Sequence, residues 1–312
     1  MSVPFSIPQG ERIEFVRATL VLEFRESFTF TETVLPNLRG ELRRAARCTG
    51  LMPEQFAALF DPPVSADPYA QRRYQRPGPA FILQPPARLP RELAAGEAIE
   101  LPLLLLGRGA RQLASLCRVW LALGERGIDR GQGRFTLNKV LAEDLAGNRT
   151  PIWSLASAAP LPLVVTRADW WLDGLPMAER IRLTIHTPAR LLANGRPLFR
   201  PGWESLFPFL LRRVGSMVHA HCEVELFDDP APLLDAARRV EVLGGRLRWR
   251  DWRVLEDEEG EESRELGGVV GRLDLGGEGL AELLWLLRLA SLLNLGKGAS
   301  YGAGYLTVEE VL

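Results

Sequence analysis

Two stretches of this chain close in the same way, and that repetition constrains the fold more than any other feature. An apolar helical segment at 113–123 runs into Gly124 and Gly127, then Gly131-Gln-Gly133-Arg-Phe-Thr-Leu137. A second, at 280–293, runs into Gly296 and Gly298, then Gly302-Ala-Gly304-Tyr-Leu-Thr-Val308. With Gly131 set on Gly302, both read as helix, glycine loop, Gly-x-Gly, an aromatic or aliphatic pair, threonine and strand. Repetition at this scale is neither a short solenoid nor low complexity. It marks a duplicated module.

The rest of each half fits one module. In the first, 13–24 is rich in strand formers, and Pro36 sits where a helix begins, with Leu38, Leu42, Ala45 and Ala46 at helical spacing. A proline-rich stretch from Pro62 to Pro86 predicts an extended excursion. Strand 99–106 and helix 109–123 follow. The second half reads as strand 181–186, a long helix from 203 to about 221, a helical segment at 233–242, strands 247–255 and 269–275, and helix 280–293. An acidic run at 256–265 reads as a solvated hairpin tip between those strands. Strand, helix, strand, strand, helix, strand is the ferredoxin-like split βαβ order. The expected fold is therefore α+β, a tandem of ferredoxin-like βαββαβ modules with antiparallel sheets. Residues 1–172 would form the first, with its proline-rich insertion, and 173–312 the second, with its glycine-rich loop.

Composition is that of a folded globular protein, 46% hydrophobic and 25% charged. The formal net charge of −1 argues mildly against a strongly basic nucleic-acid binder, but all basic residues except Lys139 and Lys297 are arginine. Arginine grips phosphate bidentately and stacks on bases; a GC-rich genome gives the same bias. Cys48, Cys117 and Cys222 are widely spaced, form no CxxC, and read as reduced thiols in a cytoplasmic protein. No metal or cofactor site is expected. Residues 1–12 lack the apolar core of a leader, the apolar run 101–106 is too short to span a bilayer, and no membrane partner is expected.

The glycine loop at 296–304 can admit a close ligand, because glycine accepts positive φ and exposed N–H groups can cradle an anion. Lys297 adds a cation, and Ser300 and Tyr301 add hydroxyls. The pattern is neither a Walker loop nor a dinucleotide fingerprint, since it follows a helix and leads into a strand. A tight connection that packs the halves together is the competing reading. Arg39, Arg43 and Arg47 recur every four residues on one helix face, with Arg44 beside them; Arg212 and Arg213 lie on the long helix. These faces read either as solvated or as phosphate contacts. His186 reads as structural, and His219 and His221 as helix-end or core residues.

The stretch Leu292-Leu-Asn-Leu-Gly-Lys-Gly-Ala-Ser-Tyr-Gly-Ala-Gly-Tyr305 resembles the C-terminal signature of the CRISPR-associated RAMP-superfamily endoribonucleases that process precursor crRNA. Leu266-Gly-Gly-Val-Val-Gly271, Thr187-Pro-Ala-Arg-Leu-Leu-Ala-Asn-Gly195, Leu38-Arg-Gly-Glu-Leu-Arg-Arg44 and Arg130-Gly-Gln-Gly-Arg-Phe135 are similar to further parts of that family's pattern. The resemblance implies CRISPR repeat RNA as partner. It also implies metal-independent cleavage, in which a 2′-hydroxyl attacks the adjacent phosphate and leaves a 2′,3′-cyclic phosphate. It places RNA on Arg39, Arg43, Arg44 and Arg134, on Arg212 and Arg213, and on Gly296, Lys297, Gly298, Ser300, Tyr301 and Gly302. The chain departs from the pattern at one point. Many relatives carry a histidine near the first helix as general acid or base, and here that helix and its flanks have none. The catalytic group is left open, with Arg43, Arg47 and His221 as candidates. The alternative is a non-catalytic RAMP subunit that retains the crRNA end beside other CRISPR effector subunits.

Overall fold

The computed structural model describes residues 7–31, 34–66, 68, 71, 74–85, 92–156, 163–251 and 267–311. The first half contains β1 (Glu14–Phe24), β2 (Phe28–Thr29), α1 (Val34–Arg47), α2 (Pro53–Phe60), β3 (Phe81–Leu83), β4 (Glu92–Leu93), β5 (Ala98–Leu106), α3 (Leu113–Arg126), β6 (Phe135–Glu143), β7 (Arg149–Ser154) and β8 (Thr166–Arg167). The second contains α4 (Ala168–Asp173), β9 (Ile181–Ala189), β10 (Leu192–Ala193), β11 (Arg196–Pro197), α5 (Trp203–Cys222), α6 (Ala231–Arg238), β12 (Glu241–Arg250), β13 (Gly268–Gly276), α7 (Leu280–Leu293) and β14 (Leu306–Glu310).

Both halves build an antiparallel sheet of the same order. In the first the strands run β3-β5-β1-β6, extended by β7, with β8 paired to β1; in the second they run β12-β13-β9-β14. Each module's first strand thus lies between its third and last, as the ferredoxin-like order requires. The fold is α+β with tandem ferredoxin-like modules, as the repeat predicts.

Strand alternation explains how the halves join. Successive side chains of a strand point to opposite faces. Phe81, Leu83, Leu103 and Leu105 enter a core with α1 and α3. Their neighbours Ile82, Leu104 and Leu106, with Phe15, enter the other core, among residues of α5 and α7. The first sheet is therefore a wall between two cores. The unbroken apolar run at 103–106 follows, since strands buried on both faces do not alternate with polar residues. In the second sheet only one face is buried in this way: Ile181, Leu183 and Ile185 are inside, while Arg182, Thr184 and His186 are partly exposed.

Two expectations change. The proline-rich stretch holds a short strand, β3, between Pro79 and Pro85, and a helix not expected from the sequence, α2, precedes it, with Pro53 in its first turn, where the missing N–H costs nothing. The helix expected at 233–242 stops at Arg238, and Val240 and Val242 lead instead into β12, which pairs with β13 along nine residue pairs. The expectations for the end of the 247–255 strand and for the acidic run 256–265 lie outside the described residues. Among the described residues no helix is long and apolar enough to cross a membrane.

Candidate nucleic-acid interface

The site starts from the periodicity of α1. Leu38, Leu42, Ala45 and Ala46 are buried in the core, which turns Arg39, Arg43 and Arg47 onto another face. Arg43 is half-buried. Its guanidinium donates Nη1 to Asp61 Oδ1 at 3.0 Å and Nη2 to Asp61 Oδ2 at 2.7 Å. It also lies over the rings of Phe56 and Phe60, 5.2 and 5.8 Å from their centroids. The hydrogen bonds to Asp61 raise the Arg43 pKa, so the group stays charged. Asp61 in turn is held below the usual carboxylate range, by Arg43 first and then by Arg76 and Arg39.

The glycine loop reaches this cluster from the second half. Asn294, buried and at φ 53°, donates to the carbonyls of Leu83 at 2.7 Å and Ala299 at 2.9 Å. Ser300 donates to the Pro79 carbonyl at 3.3 Å. These bonds staple the loop to the first half and place Tyr301 beside α1. Its ring meets Phe81 edge-on at 5.5 Å, and Arg39 lies 5.9 Å from the ring centroid. The Tyr301 hydroxyl is buried and has no hydrogen-bond partner among the described residues. Burial pushes its pKa up to about 12, against the opposing pull of Arg39 and Arg43. Three arginines, one ionised aspartate and a protonated phenol therefore meet where the two halves touch.

The loop itself corrects the expectation of bare main chain offered to an anion. The N–H groups of Lys297, Ala299, Tyr301, Gly302, Ala303 and Gly304 all donate to backbone carbonyls. Gly302 is buried with φ 94°, against Pro85 and Leu35. A Cβ at Gly304 would overlap the Leu295 carbonyl oxygen. The glycines serve close packing, the second of the two readings the sequence leaves open. Only Lys297 of the loop is exposed; Gly296, Gly298 and Ala303 are partly so. Ser300 is buried and spent on Pro79.

Other expected residues separate. Arg44 and Arg134 join Arg126 and Arg130 around a shallow surface pocket of about 340 Å³, with Glu41 and Glu125 in its lining. Arg44 holds the buried Glu41 at 2.5 Å. Arg212 is exposed and lies over Phe209, but Arg213 turns inward and donates to the Leu293 carbonyl at 2.9 Å. Adjacent helix positions sit about 100° apart, so the two do not share a face, and Arg213 caps the end of α7. Burial lowers its pKa to about 10. Arg47 is exposed on the last turn of α1. His221 is buried, with Nε2 2.9 Å from the Gly78 carbonyl, and burial brings its pKa down to about 4. Neither joins the Tyr301 cluster. Sequence reasoning missed Asp61 and Arg76. Both lie in or beside the proline-rich stretch, where no periodicity assigns a face; the only signal was an acidic residue closing a helix.

Residues 183–306 match the family model of the CRISPR-associated endoribonuclease Cas6, and residues 36–162 match a separate N-terminal-domain model. No curated protein matches the sequence at a significant level. The product complex of the Thermus thermophilus Cas6 TTHB231 aligns with TM-score 0.55 at 18% identity, over 94% of this chain and 98% of that one. The product complex of Cas6 TTHA0078 gives 0.52 at 20%, over 95% and 100%. A Cas6-RT-Cas1–Cas2 complex gives 0.58 at 14%, over 96% of this chain and 46% of that longer one. The fold shared with these structures is a tandem ferredoxin-like one. Within the second half, residues 183–306 are similar to the CRISPR-associated endoribonuclease Cas6 family.

Proposed function

We propose that the chain binds CRISPR repeat RNA and cleaves precursor crRNA beside α1 by attack of a ribose 2′-hydroxyl on the adjacent phosphate. The reading rests on Arg39, Arg43 and Arg76 gathering around Asp61 next to the unpartnered Tyr301 hydroxyl, in a chain with a Cas6 match. As the 2′-oxygen bonds to phosphorus, the bond to the 5′-oxygen breaks. The 2′-proton leaves to solvent and the departing oxygen takes one up, giving a 2′,3′-cyclic phosphate and a 5′-hydroxyl without a metal. Charge gathers on the non-bridging oxygens, and fixed guanidinium donors stabilise charge of that kind. Arginine does not release its proton, so the phenol, protonated at neutral pH, is the group suited to donate to a phosphate oxygen. The two similar Cas6 proteins solved as product complexes support a substrate-binding role for this fold. Two ferredoxin-like units, 1–172 and 173–312, whose boundary falls at the end of α4, complete the proposal.

The second reading is a subunit that holds the crRNA end without cutting it. It is favoured by α1 having no histidine and by the Tyr301 hydroxyl lying buried. Incubation of the protein with its own repeat RNA in EDTA separates the two. A single defined cut with a cyclic phosphate end supports the nuclease, and tight binding with intact RNA supports the holding subunit. Equal affinity for repeat and scrambled RNA would remove both.

A further inference from the structure

A second cavity lies between the halves, and nothing in the α1 cluster accounts for it. It encloses about 470 Å³ between the loop after α2, the segment 74–80 and the C-terminal turns of α5. That volume falls in the range of roughly 300–1,000 Å³ typical of ligand sites. Pro63 and Val64 form an apolar wall. Another wall carries Tyr74 and His219, stacked with centroids 4.4 Å apart and planes 19° from parallel. His221 also lines the cavity and is only 3% exposed. Its Nε2 faces the Gly78 carbonyl, a pure acceptor, so Nε2 carries the proton and Nδ1 is left as an acceptor. That Nδ1 is buried and has no partner among the described residues. Buried polar atoms are satisfied in the great majority of cases, so this one calls for a donor.

We infer that this cavity receives one unstacked nucleobase of the bound RNA, which stacks on the Tyr74–His219 wall and presents an amino or ring N–H to His221 Nδ1. A base supplies a flat apolar face and an edge donor together. Aromatic platforms are the usual way proteins hold splayed bases of single-stranded RNA. The position suits a strand that also crosses the arginine cluster. Pro62, which lines the cavity, follows Asp61, the partner of Arg43, in the chain. The segment 74–80 is pinned by His221 at Gly78 and by Ser300 at Pro79. The identity of the ligand as RNA rests on the reading under Proposed function; the cavity and its orphan acceptor do not.

Two measurements test it. In the first, repeat RNAs carrying one abasic nucleotide at successive positions are bound by the wild type and by Tyr74→Ala and His219→Ala. Both side chains are partly exposed and outside the arginine cluster, and thermal melts check that the variants fold. At one position, loss of the base should weaken wild-type binding about five-fold or more, the low end of base-on-aromatic stacking, and change the variants little. Position-independent losses, or the same loss in the variants, overturn the inference while leaving RNA binding intact. In the second, ¹⁵N-histidine NMR follows His221 Nδ1 as adenosine or cytidine monophosphate is added. A shifted Nδ1 resonance supports the cavity as a base site even if the repeat RNA does not bind. An unmoved resonance at saturating nucleotide, with no position-specific abasic effect, assigns the cavity to water.

Discussion

Tyr301 is the residue on which the two halves and the proposed chemistry meet, and one atom of it can be removed alone. Tyr301→Phe keeps the ring against Phe81 and deletes only the unpartnered hydroxyl. Because an unsatisfied buried polar group costs about 1–3 kcal/mol, the variant should melt at the same temperature or higher. Its single-turnover cleavage of repeat RNA should fall at least ten-fold; unchanged cleavage would free the phenol of any role. His221 gives a prediction of opposite kind. Burial first, then Arg108 and Arg213, holds its pKa near 4, opposed by the Gly78 carbonyl, against about 6.5 in the unfolded chain. Between those values the unfolded state binds more protons, so stability is full above pH 6.5 and is lost as pH falls toward 4. The loss amounts to roughly 3 kcal/mol. In denaturant titrations His221→Gln should flatten that dependence between pH 6.5 and 5; an unaltered slope would assign it to carboxylates.

At the scale of elements, the weight falls on strands that serve two cores. Leu104 of β5 is buried and reaches the second core from the first sheet. Leu104→Ala should cost about 2–5 kcal/mol by chemical denaturation, and a loss below 1 kcal/mol would contradict the shared wall. The elements were largely legible in the sequence where periodicity was strong. Helix 280–293 and the strands around 14–24 and 98–106 fall close to where their patterns place them. The glycine loop was legible as a repeat but not in its purpose. Sequence shows that Gly302 and Gly304 can approach a partner closely; it does not show that the partner is Pro85 and the Leu295 carbonyl rather than a phosphate. Arg213 was misplaced for a similar reason, since one residue along a helix separates surface from interior. Asp61, Arg76 and the Tyr74–His219 wall sit in or against the proline-rich stretch, where each residue's surroundings are set by contacts far away in sequence.

The whole molecule is two copies of one module joined by an asymmetric seam. Asn294, Ser300 and Tyr301 of the second half all bond or pack onto the first. Ile82, Leu104 and Leu106 pack in the opposite direction, from the first half into the second core. Such a seam predicts that the halves unfold together, as one calorimetric transition; two resolved transitions would show that the cores are independent. It also gathers positive charge on one side of α1 despite a net charge of −1. The central claim, that RNA lies on the arginines beside α1, is tested most directly by the salt dependence of repeat-RNA binding. The wild type is compared with an Arg39→Ala/Arg76→Ala double variant. Removing one arginine–phosphate interaction should reduce the slope of log affinity against log salt by about 0.7 for single-stranded RNA and 0.9 for a duplex. The double variant should remain folded, bind the repeat more weakly at low salt and show a slope shallower by roughly 1.5. A variant with the wild-type slope and affinity would contradict the claim, because the RNA would then be held somewhere other than beside α1.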